Sequence, residues 1–478
     1  MAMIWLDVSS ILTWKRAAVG IIRVEAECAL YALTLPREDL AFCRLTADRQ
    51  FVNVSEAEVR SALDRIAGGS GAFHDTPAIP DPIVLVKETQ EERLASVKDF
   101  SENHHHPSWF TALKFLSKAM PRTLRTTLRD KAQDQYPNFF LDKGLESNHE
   151  SSHEMPLTVS NFADREHGIT PILFEKDDVY LSMGGDWNHG NLDYLRRLKE
   201  RQRFRAILFC YDTIPILFPH LTLEWVAQVF PHYFENMAYC AEHILCISEN
   251  SRKDLKRYLS KIGAPLPPMS IVNLGCQINL LHDQALAKSV QEVLEKPFIL
   301  FVSTIERRKN HETLYRAYAR LIDAGETHLP QLVFVGGAGW GVDDFLNDLR
   351  LDPRVKNHIC IISDASDADL AALYKNAYFT LYPSLYEGWG LPVAESLAFG
   401  KFCLAASNSS LPEVGGELIE YMDAWDVPLW AERILWYWKN PQNLAERERL
   451  IRLKYQPINW SDTSKVIIEK AQETLRAL

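Results

Sequence analysis

Two glutamates, Glu387 and Glu395, are separated by seven residues in the stretch Ser384-Leu-Tyr-Glu-Gly-Trp-Gly-Leu-Pro-Val-Ala-Glu-Ser-Leu-Ala-Phe-Gly400. Between them Gly388, Trp389 and Gly390 form a turn in which the glycines, lacking a Cβ, let the main chain approach a ligand closely. Leu391 and Pro392 then open an apolar helix, with proline near the first helical position, where its missing N–H does little harm. Unpaired N–H groups and the positive end of the helix dipole face the turn, which suits a diphosphate. Glu387 stands at the mouth of that site and Glu395 about two turns along the helix. One carboxylate can meet sugar hydroxyls and the other a ribose, so the arrangement would hold a nucleotide-diphosphate sugar. The plainer alternative is a buried helix with two solvated glutamates, which leaves the company of Gly388, Gly390, Pro392 and Gly400 unexplained.

Arg307-Arg308-Lys309-Asn310 follow the apolar run Phe298–Ser303. Cations at this place would neutralise a departing diphosphate; otherwise they are a surface basic cluster. With both segments in view, the chain resembles family 4 of the retaining glycosyltransferases, bacterial surface-polysaccharide type. Residues 387–395 are similar to that family's EGFGLPxxE form of the E-x7-E signature, with Trp389 for the usual Phe. Ser303–Asn310 is similar to its E-x-R-K-N segment, and the resemblance gives Lys309 the donor diphosphate. Relatives often carry an Arg directly after the strand; this chain has Ser303 and Thr304 there, which leaves Arg308 to supply the charge. Val333–Gly341 lacks G-x-G-x-x-G spacing and resembles the family's VGG-x-G loop, bringing Gly336 and Gly337 near the nucleotide. Ser363, at the end of Ile361–Asp364, borders the base by the same likeness. Gly20-Ile-Ile-Arg-Val-Glu25 resembles a G-I-x-R-V segment of the bacterial subset, which implies Gly20 facing the donor phosphates and the acceptor; Arg23 is a candidate for the acceptor side. Tyr211-Asp212-Thr-Ile-Pro215 resembles HD-x-I-P. The family's His role does not carry over to a tyrosine, so Tyr211 and Asp212 are left as acceptor-side candidates. Ser248–Ser251 is similar to S-E-x-S. The likeness spans most of 1–30 and 205–478 and little of 35–180.

These groups need a scaffold. A chain of 478 residues is long for one core and favours two domains. Short apolar runs alternate with amphipathic stretches, the pattern of parallel α/β units. Strands are expected at Ile4–Val8, Ile83–Val86, Val179–Met183, Ala206–Tyr211, Ile244–Ile247 and Ile271–Leu274, with a helix from Ile21 to about Leu33 and another capped at Ser248. After Lys296-Pro297 come strand Phe298–Ser303, helix 311–325, strands Gln331–Val335 and His358–Ile362, helix 367–377, strand Tyr378–Tyr382, the glutamate-flanked helix and strand Phe402–Ala405. The fold class is therefore α/β. The resemblance makes it GT-B: two Rossmann-like doubly wound domains and an interdomain cleft. Residues 1–296 would be the acceptor-binding domain, with an insertion at about 87–160. Residues 297–456 would bind the nucleotide sugar. A helix in 457–478, capped at Asn459, would cross back to the first domain. In such sheets ligands sit at the carboxyl ends of the strands.

Composition excludes several classes. The net charge of −11 is wrong for a nucleic-acid protein. No run of 18 apolar residues is present to span a membrane, and Met1–Val8 reads as a strand, not a signal peptide. Eight cysteines without a C-x-x-C pair read as small buried hydrophobes of a reducing, cytoplasmic compartment. His149-Glu-Ser-Ser-His153 fits H-E-x-x-H, but its polar, helix-poor surroundings argue against zinc, and His104–His106 reads as a solvated loop. Residues 110–131 interleave basic and apolar side chains. They suit either the anionic inner face of a membrane or an ordinary solvated helix pair broken at Pro121.

What the resemblance implies is sugar transfer with retention, without a metal or cofactor, from a nucleotide-diphosphate donor (GDP-mannose the favoured guess) to a glycan or lipid-linked acceptor. Glu387, Lys309 and Arg308 would carry the chemistry; Gly388, Trp389, Gly390, Leu391 and Glu395 would bind the donor. A non-catalytic sugar-nucleotide-binding protein, or another GT-B enzyme such as a sugar-nucleotide epimerase, is the rival reading. Glu387→Ala should abolish turnover with a smaller effect on folding, because a cleft residue is not a core residue.

Overall fold

The computed structural model describes residues 2–68 and 171–477, apart from positions 16, 17, 19, 37, 47, 186, 188–190 and 279–284. The strand expected at Ile83–Val86, the insertion at 87–160 with its basic segment 110–131, His104–His106 and the H-E-x-x-H stretch lie outside the described residues.

The chain forms two Rossmann-like sheets in succession, the GT-B arrangement. The first has seven strands: β1 Ile4–Asp7, β2 Leu40–Leu45, β3 Phe51–Val54, β4 Val179–Leu181, β5 Arg205–Cys210, β6 His243–Cys246 and β7 Met269–Ile271. Their order is β3-β2-β1-β4-β5-β6-β7, parallel except for the β2–β3 pair. The second has six parallel strands: β8 Phe298–Val302, β9 Gln331–Val335, β10 Ile359–Ile362, β11 Thr380–Tyr382, β12 Cys403–Ala406 and β13 Glu420–Met422, in the order β10-β9-β8-β11-β12-β13. Strand order reverses between β1 and β4 and between β8 and β11. A crevice opens beyond the carboxyl ends at such switch points. The turns that follow β8 and β11 carry Lys309 and Glu387.

Both faces of the second sheet are covered, which explains why its strands read as unbroken apolar runs. Along β8, Ile299 and Phe301 join a core with Leu314 and Tyr318, whereas Phe298 and Leu300 point to the other face with Leu373 and Tyr374. The helices used below are α1 Ile21–Ala32, α2 Glu249–Ile262, α3 His311–Asp323, α4 Asp367–Asn376, α5 Leu391–Ala398, α6 Leu411–Gly415 and α7 Trp460–Arg476. Helix α7 returns to the first sheet. Trp460 Nε1 donates to the Gln277 carbonyl at 3.1 Å, Thr463 Oγ1 to that of Asn273 at 2.9 Å, and Arg205 to those of Thr474 and Leu475.

Several local expectations need correcting. Strands β2 and β3 have no counterpart in the sequence reading, because Arg44 and Asn53 interrupt their apolar character. The last strand of the first sheet is Met269–Ile271 rather than Ile271–Leu274. A short helix, Ser9–Thr13, occupies part of the stretch read as loop after β1. Ser248 caps α2, its side chain accepting from the Ser251 N–H, but Asn459 makes no side-chain cap on α7. Because Gly388–Gly390 are not helical, Glu395 lies one turn, not two, inside α5. All eight cysteines are free thiols, and seven are buried. Among the described residues no helix is long and apolar enough to cross a membrane.

Candidate active site at the second switch point

The turns after β8 and β11 are stitched together by their main chains. Leu385 N donates to the Arg308 carbonyl at 2.8 Å. Asn310, whose φ of 61° few residues other than Asn and Gly adopt readily, reverses the chain from the Arg307–Lys309 turn into α3. Its amide nitrogen donates to the carbonyls of Pro383 at 3.1 Å and Ala424 at 2.8 Å. Lys309 and Glu387, 78 positions apart in sequence, are thereby brought together.

Glu387 is 7% exposed. Its Oε1 accepts from Lys309 Nζ at 2.7 Å, Ser384 Oγ at 2.6 Å and the Tyr382 hydroxyl at 3.2 Å, and Arg308 Nη1 stands 2.9 Å away. Among the described residues no hydrogen bond reaches Oε2, which is left to accept from a ligand. Burial alone would raise the pKa of this carboxyl; Arg308 and Lys309 outweigh it and hold the group at about 2. Burial pushes Lys309 below its ordinary value, with Arg308 adding to the effect and Glu387 opposing it. Arg308 is anchored by Glu306 at 2.6 Å and by the Tyr386 carbonyl at 2.7 Å. The cluster is a buried anion shared by two cations, one of whose carboxylate oxygens is unoccupied.

Beside it, α5 begins. Gly390 has φ 118°, and a Cβ there would lie 2.7 Å from Leu411 Cδ2, so the turn requires glycine. Among the described residues the N–H groups of Gly388, Trp389, Gly390 and Leu391 have no hydrogen-bond acceptor. Such a row at a helix start is an anion site. One turn on, Glu395 Oε2 accepts from the Tyr374 hydroxyl at 2.8 Å. Burial raises the Glu395 pKa, and Arg23 works against that.

Residues of the first domain face this row. Asp212, raised by burial and opposed by Arg308, lies within electrostatic reach of Arg308, Glu387 and Lys309, and one of its oxygens accepts from Ile214 N at 2.9 Å. Gly388 fits against the same segment: a Cβ on it would lie 2.4 Å from the Tyr211 carbonyl oxygen, so a methyl at 388 would force the two domains apart.

Three expected roles change in the light of this geometry. Tyr211 sends its hydroxyl to the Met183 carbonyl at 2.6 Å inside its own domain, so its main chain, not its side chain, meets the second domain. Arg23, expected on the acceptor side, bridges to Asp367 at 2.6 Å and acts electrostatically on Glu395. The close approach at Gly336 is internal: a Cβ there would lie 2.2 Å from the Ser303 carbonyl oxygen, and its φ is 146°. Gly337 is buried, its carbonyl accepting from Ile305 N at 2.9 Å, while Gly20 and Ser363 are exposed, Gly20 before α1 and Ser363 at the end of β10.

Residues 283–455 match the family model described as Glycosyl transferases group 1. The Lys309–Glu387 cluster and Glu395 all fall inside that match. Among curated relatives, the chain is 26% identical over 239 residues to the serotype-specific mannosyltransferase WbdA of Escherichia coli, covering 47% of this chain and 29% of that protein. It is 31% identical over 201 residues to the O-antigen chain mannosyltransferase B of Escherichia coli, covering 41% of this chain and 51% of the relative. The chain thus spans about half or less of the length of these two relatives. Among solved structures, Anabaena Alr3699/HepE in complex with UDP is similar at a TM-score of 0.49 and 16% identity, over 62% of this chain and 79% of that one.

Within the matched region the sequence reading missed the residues that hold the others in place. Tyr382 and Ser384 fix Glu387, Tyr374 fixes Glu395, and Glu306 fixes Arg308. Asn408-Ser409-Ser410 clamp the turn from the far side. Asn408 Nδ2 donates to the Ser384 carbonyl, Glu387 N donates to Ser409 Oγ, and Ser410 Oγ donates to the carbonyls of Glu387 and Trp389. The only hint in sequence was the polar Ser407–Ser410 run after an apolar strand, which reads equally well as an ordinary loop.

Proposed function

We propose that the chain is a glycosyltransferase that moves a sugar from a nucleotide-diphosphate donor to a hydroxyl of a glycan or lipid-linked acceptor in polysaccharide synthesis, with retention of configuration. One observation carries the reading: four unpartnered main-chain N–H groups at a helix start lie beside Lys309, Arg308 and a Glu387 carboxylate with one open oxygen. The amides of Gly388–Leu391 and the two cations would take the diphosphate, Glu387 Oε2 the sugar hydroxyls, and the open oxygen of Glu395 the ribose. The anomeric carbon–oxygen bond breaks as the acceptor oxygen bonds to the same face, and the departing phosphate takes the acceptor proton. The fixed donors and cations stabilise charge as it develops on the leaving group, so the reaction calls for no divalent ion. Asp212, across the cleft, would orient the acceptor or the sugar.

Two relatives named as mannosyltransferases favour mannose as the sugar, and we take GDP-mannose as its donor. Incubation with GDP-mannose, UDP-glucose and dTDP-sugars, with nucleoside-diphosphate release followed in the presence of candidate acceptors, tests this. Release from GDP-mannose alone is the expected result; release from another donor would replace mannose, and release from none would remove the activity. Cytoplasmic residence with contact at the inner face of the membrane through 110–131 belongs to the same reading. Equal sedimentation with anionic liposomes of the intact chain and a chain lacking 110–131 would remove that contact.

A further inference from the structure

The turn that carries Glu387 is also one of the places where the two domains touch. The Glu413 carboxylate, on α6 of the second domain, accepts from the main-chain N–H groups of Glu249 and Asn250, one to each oxygen, both at 2.8 Å. These are the first two residues of α2 in the first domain. An anion there completes two of the amides that a helix start leaves unpaired and meets the positive end of its dipole. The next residues of α2 reach the turn itself. Ser251 Oγ, buried, donates to the Tyr211 carbonyl at 2.9 Å and lies 3.3 Å from that of Gly388. Tyr386, the neighbour of Glu387, donates to Asp254 and accepts from Asn250 Nδ2 at 2.9 Å. Glu413 stands three residues beyond Ser410, and Ser409 and Ser410 hold the main-chain N–H and carbonyl of Glu387. Ser409 has φ 53°, a conformation that a serine keeps only where its surroundings impose it.

We propose that Glu413 is a positioning residue: by gripping the first turn of α2 it ties closure of the cleft to the placement of Glu387. The segment 408–413 is the tie. One end holds the Glu387 main chain, the other carries the carboxylate that takes the first two amides of α2, and both ends belong to one short piece of chain. When the cleft opens, Glu413 loses its two amides and the segment behind the Ser409–Ser410 clamp loses one of its anchors, so the main chain of the Glu387 turn is held less firmly than in the closed form, while Tyr382, Ser384 and Lys309 still hold the carboxylate. This rests on the glycosyltransferase reading for its effect on turnover, but not for its effect on the turn.

The test uses the full chain with Glu413→Ala and Glu413→Gln, the second keeping one acceptor oxygen. Hydrogen exchange is followed at the peptides holding 249–250 and 384–391, alongside kcat and KM for the active donor and the affinity for GDP and UDP. The expected result is faster exchange in both peptides and a kcat about tenfold lower for the alanine variant, with Gln between it and wild type and with nucleotide affinity less affected than kcat. Faster exchange confined to 249–250, with 384–391 and kcat unchanged, would overturn the proposal. If wild type turns over no nucleotide sugar, the functional reading fails, while the exchange at 384–391 still decides whether Glu413 positions the turn. Unchanged melting temperatures separate either result from general unfolding.

Discussion

Glu387→Gln is expected to lower turnover by about 10²–10³-fold, because it removes the charge that balances Lys309 and Arg308 and that, in the proposed mechanism, orients the sugar. Gln retains an acceptor oxygen for Ser384 and Tyr382, so most of the fold's contacts at Oε1 survive. Glu387→Ala is different, and here the expectation drawn from sequence, of a smaller effect on folding, does not hold. The residue is buried, and its loss leaves two buried cations without their shared anion. Breaking such a group costs about 3–5 kcal/mol, read as a lower unfolding free energy in denaturant. The same ion cluster gives a pH signature. With Glu387 held at about 2 against an ordinary 4.5, the folded state favours the carboxylate. That contribution is complete above 4.5 and is lost as the pH falls towards 2. Acid unfolding of the Gln variant should therefore show a shallower loss of stability across this window than wild type. Equal slopes would mean that the carboxylate is not paired as described.

Lys309→Met should produce the second large effect. The ammonium is 2.7 Å from Glu387 Oε1, and in the proposed site it meets the diphosphate, so its loss is expected to reduce both turnover and GDP or UDP affinity by about 10²-fold. Calorimetry on the variant checks the affinity. Two pH effects accompany it. Without Lys309 one of the two cations lowering Glu387 is gone, and the acid transition moves to higher pH. In wild type, burial holds Lys309 below its ordinary value, so nucleotide affinity should begin to fall on the alkaline side earlier than it would for an exposed lysine. Affinity that stays constant in the methionine variant would place the diphosphate elsewhere.

The sequence made the glycine turn and its glutamates more legible than the first-domain residues across from them, for physical reasons. Glycine and proline at fixed offsets announce a turn into a helix, so Gly388–Glu395 could be read directly, whereas Lys309 was singled out from its basic run by the family resemblance. What could not be read was the hydrogen bonding that decides which way a side chain points. Arg23, read as an acceptor-side residue, is bridged to Asp367, 344 positions away, a pairing no sequence pattern signals. Tyr211 looked like a cleft residue until its hydroxyl was found on Met183. Glu413 gave no signal at all, because its partners are two main-chain amides of another domain. In the fold, strands covered on both faces announced themselves by continuous apolar runs. The β2–β3 pair, with Arg44 and Asn53 on its strands, did not.

A crystal structure with GDP or UDP bound tests the central claim most directly. Diphosphate oxygens are expected against the N–H groups of Gly388–Leu391 and Lys309 Nζ, with the ribose hydroxyls on Glu395. A nucleotide lodged elsewhere, with Glu395 and Lys309 making no contact to it, would contradict the account.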